Sequence, residues 1–268
     1  MLGVSAAAAK PFDLGLIAPA GLETDRNQWT ILDARPTEQY IQGHLPGAFS
    51  FSWENHTRTD EKGIAYRLKP IEAIAASFEK MGIHKKSPVV VYGDADTSWG
   101  GEGWACWVLA FMGHCGPVRL LDGGLQAWQA QSYPVEKGLQ KIDAKPAQYD
   151  FNVRKALNVD AETLRKSPDA YQLVDTRSLM EWFKGHLPNA VHIRWKSFFT
   201  GRHQKPIRRQ AIKALLSEHD IDRQKPVVYY CTGGIRSGYA WLVHQLAGLP
   251  TACNFEGGTA AWRKLSEK

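Results

Sequence analysis

The sequence has few cysteines and no long apolar run. Its 268 residues include four cysteines with no Cys-x-x-Cys pair, so we expect neither a disulfide framework nor a zinc site. No apolar stretch approaches the roughly 18 residues that a transmembrane helix needs. The first residues lack the basic and apolar segments of a secretory signal, so we expect a cytoplasmic protein; the alternative is the periplasm, if an export signal has been removed.

Several enzyme signatures are also missing. Neither GxxxxGK[ST] nor GxSxG occurs, and GGEGWAC (100–106) lacks the third glycine of a dinucleotide fingerprint. No nucleic-acid-binding module is recognisable, so we expect no nucleic-acid partner and no membrane partner. The net charge of +6 is uneven, because residues 1–150 carry 14 basic and 17 acidic side chains and residues 151–268 carry 19 and 10. The basic half predicts either a solvated surface or a site for an anion.

The chain contains one unit twice. ILDARPTEQYIQGHLPGAFSFSW (31–53) matches LVDTRSLMEWFKGHLPNAVHIRW (173–195) without a gap. Further on, VVVYG (89–93) matches VVYYC (227–231), and LDGGLQAW (121–128) matches FEGGTAAW (255–262) in the same order. A repeat of this length indicates a duplicated domain. We predict an N-terminal domain over 12–133, a polar linker over 134–153 and a C-terminal domain over 154–268.

Each copy alternates strand-like and helix-like segments. A short apolar run precedes Asp-x-Arg, a second run precedes a loop, and an apolar helical segment follows that loop. Strands that alternate with helices favour a parallel sheet covered on both faces. The predicted fold class is therefore α/β, with two tandem domains that each contain a mostly parallel sheet flanked by helices.

The chemistry is concentrated at VVYYCTGGIRSG (227–238). Cys231 follows a strand, and ligands bind at the carboxyl ends of strands in open α/β sheets. Loop N–H groups, a helix beginning at Ile235 and the cation of Arg236 would stabilise a thiolate, and Gly233 and Gly234 allow the loop to curl around it. We predict Cys231 as a nucleophile, whereas Cys106, Cys115 and Cys253 are expected to be small buried hydrophobic residues.

These motifs together resemble the rhodanese family in its tandem form. VVYYCTGGIRSG resembles the active-site strand and loop of that family, DTR…GHLPNA its upstream signature and FEGGTAAW its final one. The resemblance implies transfer of a sulfane sulfur through a persulfide on Cys231, without a metal or cofactor. It implies a small-molecule donor and a cyanide or thiol acceptor, which could be a protein thiol. The implied active-site loop is Thr232, Gly233, Gly234, Ile235, Arg236 and Ser237.

Only the C-terminal copy has the cysteine. The N-terminal copy has Gly93 opposite Cys231, followed by an acidic stretch, so we expect it to be inactive. Because two such domains can cover each other's apolar surface, we expect a monomer.

The donor is less well defined by the sequence. The branch of the family that uses 3-mercaptopyruvate typically has a neutral loop and an additional upstream arginine, whereas this loop contains Arg236 and the upstream position lies in Leu179–Glu181. Thiosulfate is therefore the predicted donor and 3-mercaptopyruvate the alternative. A protein sulfur relay and a rhodanese-like phosphatase are further alternatives. The loop is Cys-x4-Arg, one residue shorter than the Cys-x5-Arg loop of phosphatases.

Other residues are assigned by comparing the copies. Asp175 is predicted to support the site, and Arg177 is predicted to bind substrate. Asp33 and Arg35 repeat this pair in the copy that lacks the cysteine, which favours a structural role for both. By the same comparison His44, His186, Trp53 and Trp195 are predicted to be turn or core residues. Features found only in the C-terminal copy are better candidates for a functional role; they are Arg194, Lys196 and GRHQKPIRR (201–209). The hypothesis is that some of these side chains line the entrance and attract the donor, and the alternative for the run is a solvated face.

Overall fold

The N-terminal half forms a five-stranded parallel sheet. The computed structural model describes residues 12–94, 97–140, 147–250 and 252–266; the predicted absence of a secretory signal concerns residues outside these ranges. The sheet order is β1-β7-β6-β2-β3, and a separate antiparallel hairpin pairs β4 with β5. The elements of this half are β1 (Leu14–Ile17), α1 (Pro19–Asp25), β2 (Thr30–Asp33), α2 (Thr37–Gln42), β3 (Phe49–Ser50), α3 (Trp53–His56), β4 (Thr57–Arg58), β5 (Arg67–Leu68), α4 (Ile71–Lys80), β6 (Val89–Tyr92), α5 (Gly101–Phe111), β7 (Val118–Leu121) and α6 (Gly124–Gln129).

The C-terminal half repeats this plan with one strand fewer. Its parallel sheet has the order β13-β12-β8-β9, and its antiparallel hairpin pairs β10 with β11. The elements are α7 (Ala161–Lys166), β8 (Gln172–Asp175), α8 (Leu179–Phe183), β9 (Val191–His192), β10 (Phe199–Thr200), β11 (Lys205–Pro206), α9 (Arg209–Glu218), β12 (Val227–Tyr230), α10 (Ile235–Leu246), β13 (Ala252–Phe255) and α11 (Gly258–Ser266). Short 3-10 turns occupy Arg26–Gln28, Lys155–Leu157, Pro168–Ala170 and Trp195–Phe198.

Both sheets are covered on both faces. All four residues of β12 are buried, and successive side chains of a strand point to opposite faces. Val227 and Tyr229 join a core that they share with the N-terminal half, whereas Val228 and Tyr230 join a second cluster on the outer face. The predicted α/β fold with two flanked parallel sheets is confirmed.

Helices α5 and α10 join the two halves. A Cβ atom added at Gly103 would overlap the backbone of Tyr239, and one added at Gly238 would lie 2.9 Å from Cα of Trp104. Only glycine permits helices to approach so closely. The shared apolar core on this side includes buried residues of both sheets and of both helices. The halves therefore form one packed unit.

Each hairpin covers the loop end of the other half. On one side, Arg67 of β5 pairs with the buried Glu256 at 2.9 Å. On the other side, Lys205 and Arg208 contact Asp122 at 3.6 and 2.8 Å. Glu256 and Asp122 follow equivalent strands, β13 and β7, so the two contacts are related by the repeat. The carboxyl end of each sheet is thus enclosed by residues of its neighbour.

The described part of the linker lies against the N-terminal half. The main-chain N–H of Ala147 donates to Glu79, and that of Asn152 donates to Met112. Tyr149 is 2% exposed and packs on Phe78, with 5.0 Å between the ring centroids. Although the sequence of this segment has no apolar period, one aromatic residue fixes its described part to the core. No helix of the described ranges is long and apolar enough to cross a bilayer.

Candidate active site

Cys231 lies immediately after β12, at the carboxyl end of the second sheet. Its side chain is 2% exposed, and Sγ accepts a hydrogen bond from the main-chain N–H of Gly234 at 3.1 Å. Gly234 has φ of +89° and precedes the first residue of α10, so the loop turns its N–H groups toward the sulfur where the helix begins. The loop of residues 232–237 is therefore a cradle for an anionic sulfur.

The thiol of Cys231 has a lowered pKa despite its burial. Burial alone would raise this pKa, because it disfavours the charged form. The positive charge of Arg236 and hydrogen bonds from the N–H groups of Ser237 and Gly233 outweigh that effect. Cys253 has no such partners, and burial raises its pKa to about 11. A thiolate is the nucleophilic form of cysteine, so the lowered pKa favours Cys231 over Cys253 as a nucleophile.

The loop around Cys231 is supported by two buried side chains, Asn254 and Ser237, and by the FEGGTAAW motif. Asn254 of β13 donates from Nδ2 to the carbonyl of Gly234 at 3.0 Å and accepts from Ser237 Oγ at 2.7 Å. Gly258 has φ of +51°, and a Cβ atom there would overlap the carbonyl oxygen of Cys231. The second glycine in FEGGTAAW is therefore needed for close approach of this turn to the loop.

Arg236 is held by a carboxylate of α8. Its Nη1 and Nη2 atoms contact Oε2 and Oε1 of Glu181 at 2.7 and 2.8 Å, and Thr232 Oγ1 also donates to this carboxylate at 3.1 Å. The guanidinium group, hydrogen bonds from Ser178 and the charge of Arg236 together hold the pKa of Glu181 well below its usual range, against the effect of burial. The cation that faces the sulfur is thus largely compensated by its own partner.

A cavity of about 500 Å³ opens above the loop between the two halves. The C-terminal half contributes Cys231 and its loop, together with Glu181. The N-terminal half contributes Trp53, Glu54, Tyr66 and Trp99. Among the described residues that line the cavity, Arg236 is the only basic one, and its guanidinium group lies 5.7 Å from the centroid of the Trp99 ring. The site therefore lies at the interface and needs both halves.

The equivalent loop of the N-terminal half is filled by a carboxylate. A Cβ atom added at Gly93, the counterpart of Cys231, would overlap Oε2 of Glu102. Ser98 Oγ donates to the same oxygen at 2.6 Å. The carboxyl group of Glu102 therefore occupies the space that a cysteine side chain would take. This loop is filled without a cysteine.

The structure separates the predicted substrate-binding residues. Arg177 is 2% exposed and forms a bidentate pair with Asp175, and its Nη2 also donates to the carbonyl of Gly185 at 2.7 Å. Arg35 binds Asp33 and the carbonyl of Gly43 in the same way. This pair ties each Asp-x-Arg strand end to the Gly-His turn. Arg177 is thus occupied within the fold, and neither it nor Asp175 lines the cavity.

The basic residues of the C-terminal copy also lie elsewhere. Arg194 is exposed and does not line the cavity. In the 201–209 run, Lys205 and Arg208 contact Asp122, which follows β7 of the N-terminal half. The hypothesis that side chains of this run line the entrance to the active site does not hold for Lys205 and Arg208, because both contact the loop of the other half.

Sequence reasoning placed the two predicted turn histidines correctly but missed the wall of the cavity. His44 stacks on Tyr40 with 4.0 Å between centroids, and His186 stacks on Trp182 at 3.6 Å. Trp195 is 5% exposed as a core residue, whereas its counterpart Trp53 borders the cavity. The sequence did contain one signal for Glu181, because the equivalent position of the N-terminal copy is Gln39.

The chain has two duplicated α/β domains, and one of them has a cysteine at a strand end inside a cationic loop. These features define the class of proteins that carry out chemistry at a cysteine thiolate. Comparison with known proteins gives the family: the model for the rhodanese-like domain matches residues 20–131 and again 160–265. The chain therefore belongs to the rhodanese-like family and carries two such domains, which confirms the resemblance predicted from the motifs.

Named relatives extend over nearly the whole chain. A putative thiosulfate sulfurtransferase, SseA, from Mycobacterium bovis is 29% identical, over 83% of this chain and 78% of its own. The sulfur carrier protein TtuD from Thermus thermophilus is 27% identical, over 84% of each chain. The crystal structure of SseA from Escherichia coli, described as a 3-mercaptopyruvate sulfotransferase, aligns with a TM-score of 0.77 at 20% identity, over 91% of this chain and 98% of that one.

Proposed function

We propose that this protein is a sulfurtransferase in which Cys231 carries the transferred sulfur as a persulfide. The observation that carries the proposal is the Cys231 sulfur, which has a lowered pKa, accepts the Gly234 N–H and borders an open cavity. In the first half-reaction the thiolate attacks the outer sulfur of thiosulfate and sulfite leaves. In the second, cyanide or a thiolate attacks the outer sulfur of the persulfide and the Cys231 thiolate is released.

Each loop residue has a part in this scheme. The N–H groups of the cradle stabilise the thiolate and then the persulfide, as preorganised donors stabilise charge in other covalent enzymes. Arg236 is the cation available to the sulfonate of thiosulfate. Glu181 competes for that cation, so we expect thiosulfate to bind weakly. Arg177 and Arg194 have no part in the proposed site.

Thiosulfate is the proposed donor and 3-mercaptopyruvate the alternative. A carboxylate donor would need its own cation, and Arg236 is the only one among the described residues that line the cavity. Relatives named for thiosulfate also support the choice. A protein thiol remains a proposed acceptor, because one relative is named a sulfur carrier. The predictions of a monomer and of the cytoplasm are part of the same proposal.

The test is to load the cysteine directly. The purified protein is incubated with thiosulfate and, separately, with 3-mercaptopyruvate, and the intact mass and the Cys231 peptide are then measured. We expect one added sulfur atom on Cys231, removal of that sulfur by cyanide, and faster loading by thiosulfate. Cys231→Ser should not load, whereas the matched variant Cys253→Ser should load normally. Failure of both donors to load Cys231 would contradict transfer from small donors.

A further inference from the structure

The inactive half supplies an aromatic and acidic wall to the active site. Its contributions are Trp53, Glu54, Tyr66 and Trp99. Trp53 and Tyr66 meet edge to face, with 5.9 Å between ring centroids, and the Tyr66 side chain lies directly against Gly233 of the active loop. Tyr66 and Trp99 remain 40% and 51% exposed. Large aromatic surfaces left open beside a nucleophile are typical of a binding site rather than a core.

The wall is specific to the side that faces Cys231. In the repeat, Lys196 is the counterpart of Glu54, and Gln204 is the counterpart of Tyr66. Tyr66 and Gln204 both have positive φ, of 63° and 47°, so the two hairpins share this backbone shape and differ in the side chain. Trp99 also has a positive φ of 55°, which is rare for a bulky residue. The fold itself does not require the ring of Tyr66 or the charge of Glu54.

The chemistry of this wall suits a cation. Aromatic faces attract ammonium groups, and quaternary ammonium ligands bind in aromatic cages. Glu54 adds a negative charge, the persulfide on Cys231 adds another, and Glu181 already compensates Arg236. The cavity of about 500 Å³ is also of the size that holds small organic ligands. Cyanide would leave nearly all of it empty.

We propose that the physiological acceptor is a small organic thiol that carries an ammonium or quaternary ammonium group, and that Glu54, Tyr66 and Trp99 of the inactive half bind that group. This inference rests on the proposed sulfur transfer through Cys231. The acceptor thiolate attacks the outer persulfide sulfur, a new S–S bond forms on the acceptor, and the bond to Cys231 breaks to return its thiolate. No oxidant or reductant is consumed.

The first experiment measures transfer from the loaded protein. Cys231 is loaded with thiosulfate, excess donor is removed, and the rate of sulfur transfer is measured for thiocholine (cationic), 2-mercaptoethanol (neutral) and 3-mercaptopropionate (anionic). Each rate is divided by the rate of the same thiol with a small persulfide in solution, which corrects for intrinsic reactivity. We expect thiocholine to exceed 3-mercaptopropionate about tenfold or more after correction.

The repeat offers matched variants. Tyr66→Gln and Glu54→Lys install the residues that the same positions carry in the other half, so the backbone is expected to accept them. Both should reduce the corrected ratio of thiocholine to 3-mercaptopropionate, Glu54→Lys to one or below. Glu61→Gln removes a carboxylate from the same hairpin that is 79% exposed and pairs with Arg58, and it should leave the ratio unchanged.

A second experiment is independent of turnover. Binding of choline, which has no thiol, is followed by saturation-transfer NMR with the unmodified protein and with Glu54→Lys. Binding that is lost in Glu54→Lys supports the cation-binding wall even if Cys231 accepts no sulfur, a result that would overturn the proposed sulfur transfer and with it the role of the bound cation as a sulfur acceptor. If Cys231 loads but the three thiols react equally after correction, sulfur transfer stands and the cationic acceptor is refuted. Absence of choline binding to the unmodified protein also refutes it.

Discussion

Glu181→Gln should improve the use of thiosulfate. Glu181 binds Arg236 through two contacts of 2.7 and 2.8 Å and so competes with a sulfonate for the same guanidinium group. Two unit charges about 4 Å apart interact by about 1 kcal/mol in water and about 4 kcal/mol at an effective dielectric constant of 20. Because Glu181 is 33% exposed, we take about 2 kcal/mol, which corresponds to a roughly thirtyfold lower KM for thiosulfate.

Glutamine is the informative replacement at this position. Glu181 closes a capping box with Ser178 at the start of α8, and glutamine can form the same box. The fold of this helix should therefore persist while the negative charge is lost. Gln39 is the counterpart in the inactive half and accepts from Thr97 Oγ1 at 2.5 Å, so a glutamine is already accommodated there beside its loop.

The assay is the rate of sulfur loading on Cys231 as a function of thiosulfate concentration, by quenched flow and intact mass. It is run well above the Cys231 pKa, so that the thiolate fraction does not limit the rate. Glu38→Gln, an exposed carboxylate in the first turn of α2, is the matched control and should behave as the parent. A KM for thiosulfate that is unchanged or raised in Glu181→Gln would show that Arg236 does not bind the donor.

Three further changes test the loop and its support. The rate of sulfur loading should rise with pH to a plateau as Cys231 ionises, with a midpoint below the value of about 8.5 for a free thiol. Arg236→Gln should move that midpoint upward, because it removes the main charge that stabilises the thiolate. An unmoved pH–rate profile in Arg236→Gln would contradict this. Asn254→Ala should also raise the midpoint and should lower stability by about 1–3 kcal/mol in chemical denaturation, because the Gly234 carbonyl and Ser237 lose a buried partner. Gly103→Ala should lower Tm by several degrees, since overpacking costs typically about 1–3 kcal/mol. Gly43→Ala is the control and should leave Tm unchanged, because no atom lies within 4 Å of the added Cβ. Equal melting temperatures of the two variants would refute the close contact of α5 and α10.

Most of the fold could be predicted from local patterns. The gap-free match of the two copies predicts a duplication, and the apolar runs at 89–92 and 227–230 predict buried parallel strands. The expected start of a helix at Ile235 is confirmed. The edge strand β1 was not predicted, since its four residues are only partly buried and its counterpart in the second copy is reduced to a parallel bridge between Asn158 and Asn254 of β13. Tyr149 was also missed, because one apolar residue in a polar linker has no period.

The site was predictable only where it is local in sequence. Cys231, its glycines and Arg236 lie within six residues, so one stretch of chain contains the cradle. Tyr66 and Trp99 reach the cavity through the packing of one half on the other, and no local pattern shows this contact. Glu181 lies 55 residues before Arg236, and its only mark in the sequence is the difference from Gln39 at the equivalent position of the other copy.

Residues that are unique to one copy do not always serve the site of that copy, because the two halves pack on each other. A residue unique to the C-terminal copy was expected to serve the C-terminal site, and this holds for the loop, where Cys231 replaces Gly93. It fails for the hairpins, because each hairpin covers the neighbouring half: Lys205 of the C-terminal copy contacts Asp122, and Arg67 of the N-terminal copy contacts Glu256. The cavity wall opposite the Cys231 loop must therefore be sought in the N-terminal copy. By this rule Glu54 and Tyr66, which differ from their counterparts in the other hairpin, are the residues through which, in our proposal, the N-terminal half influences the choice of acceptor.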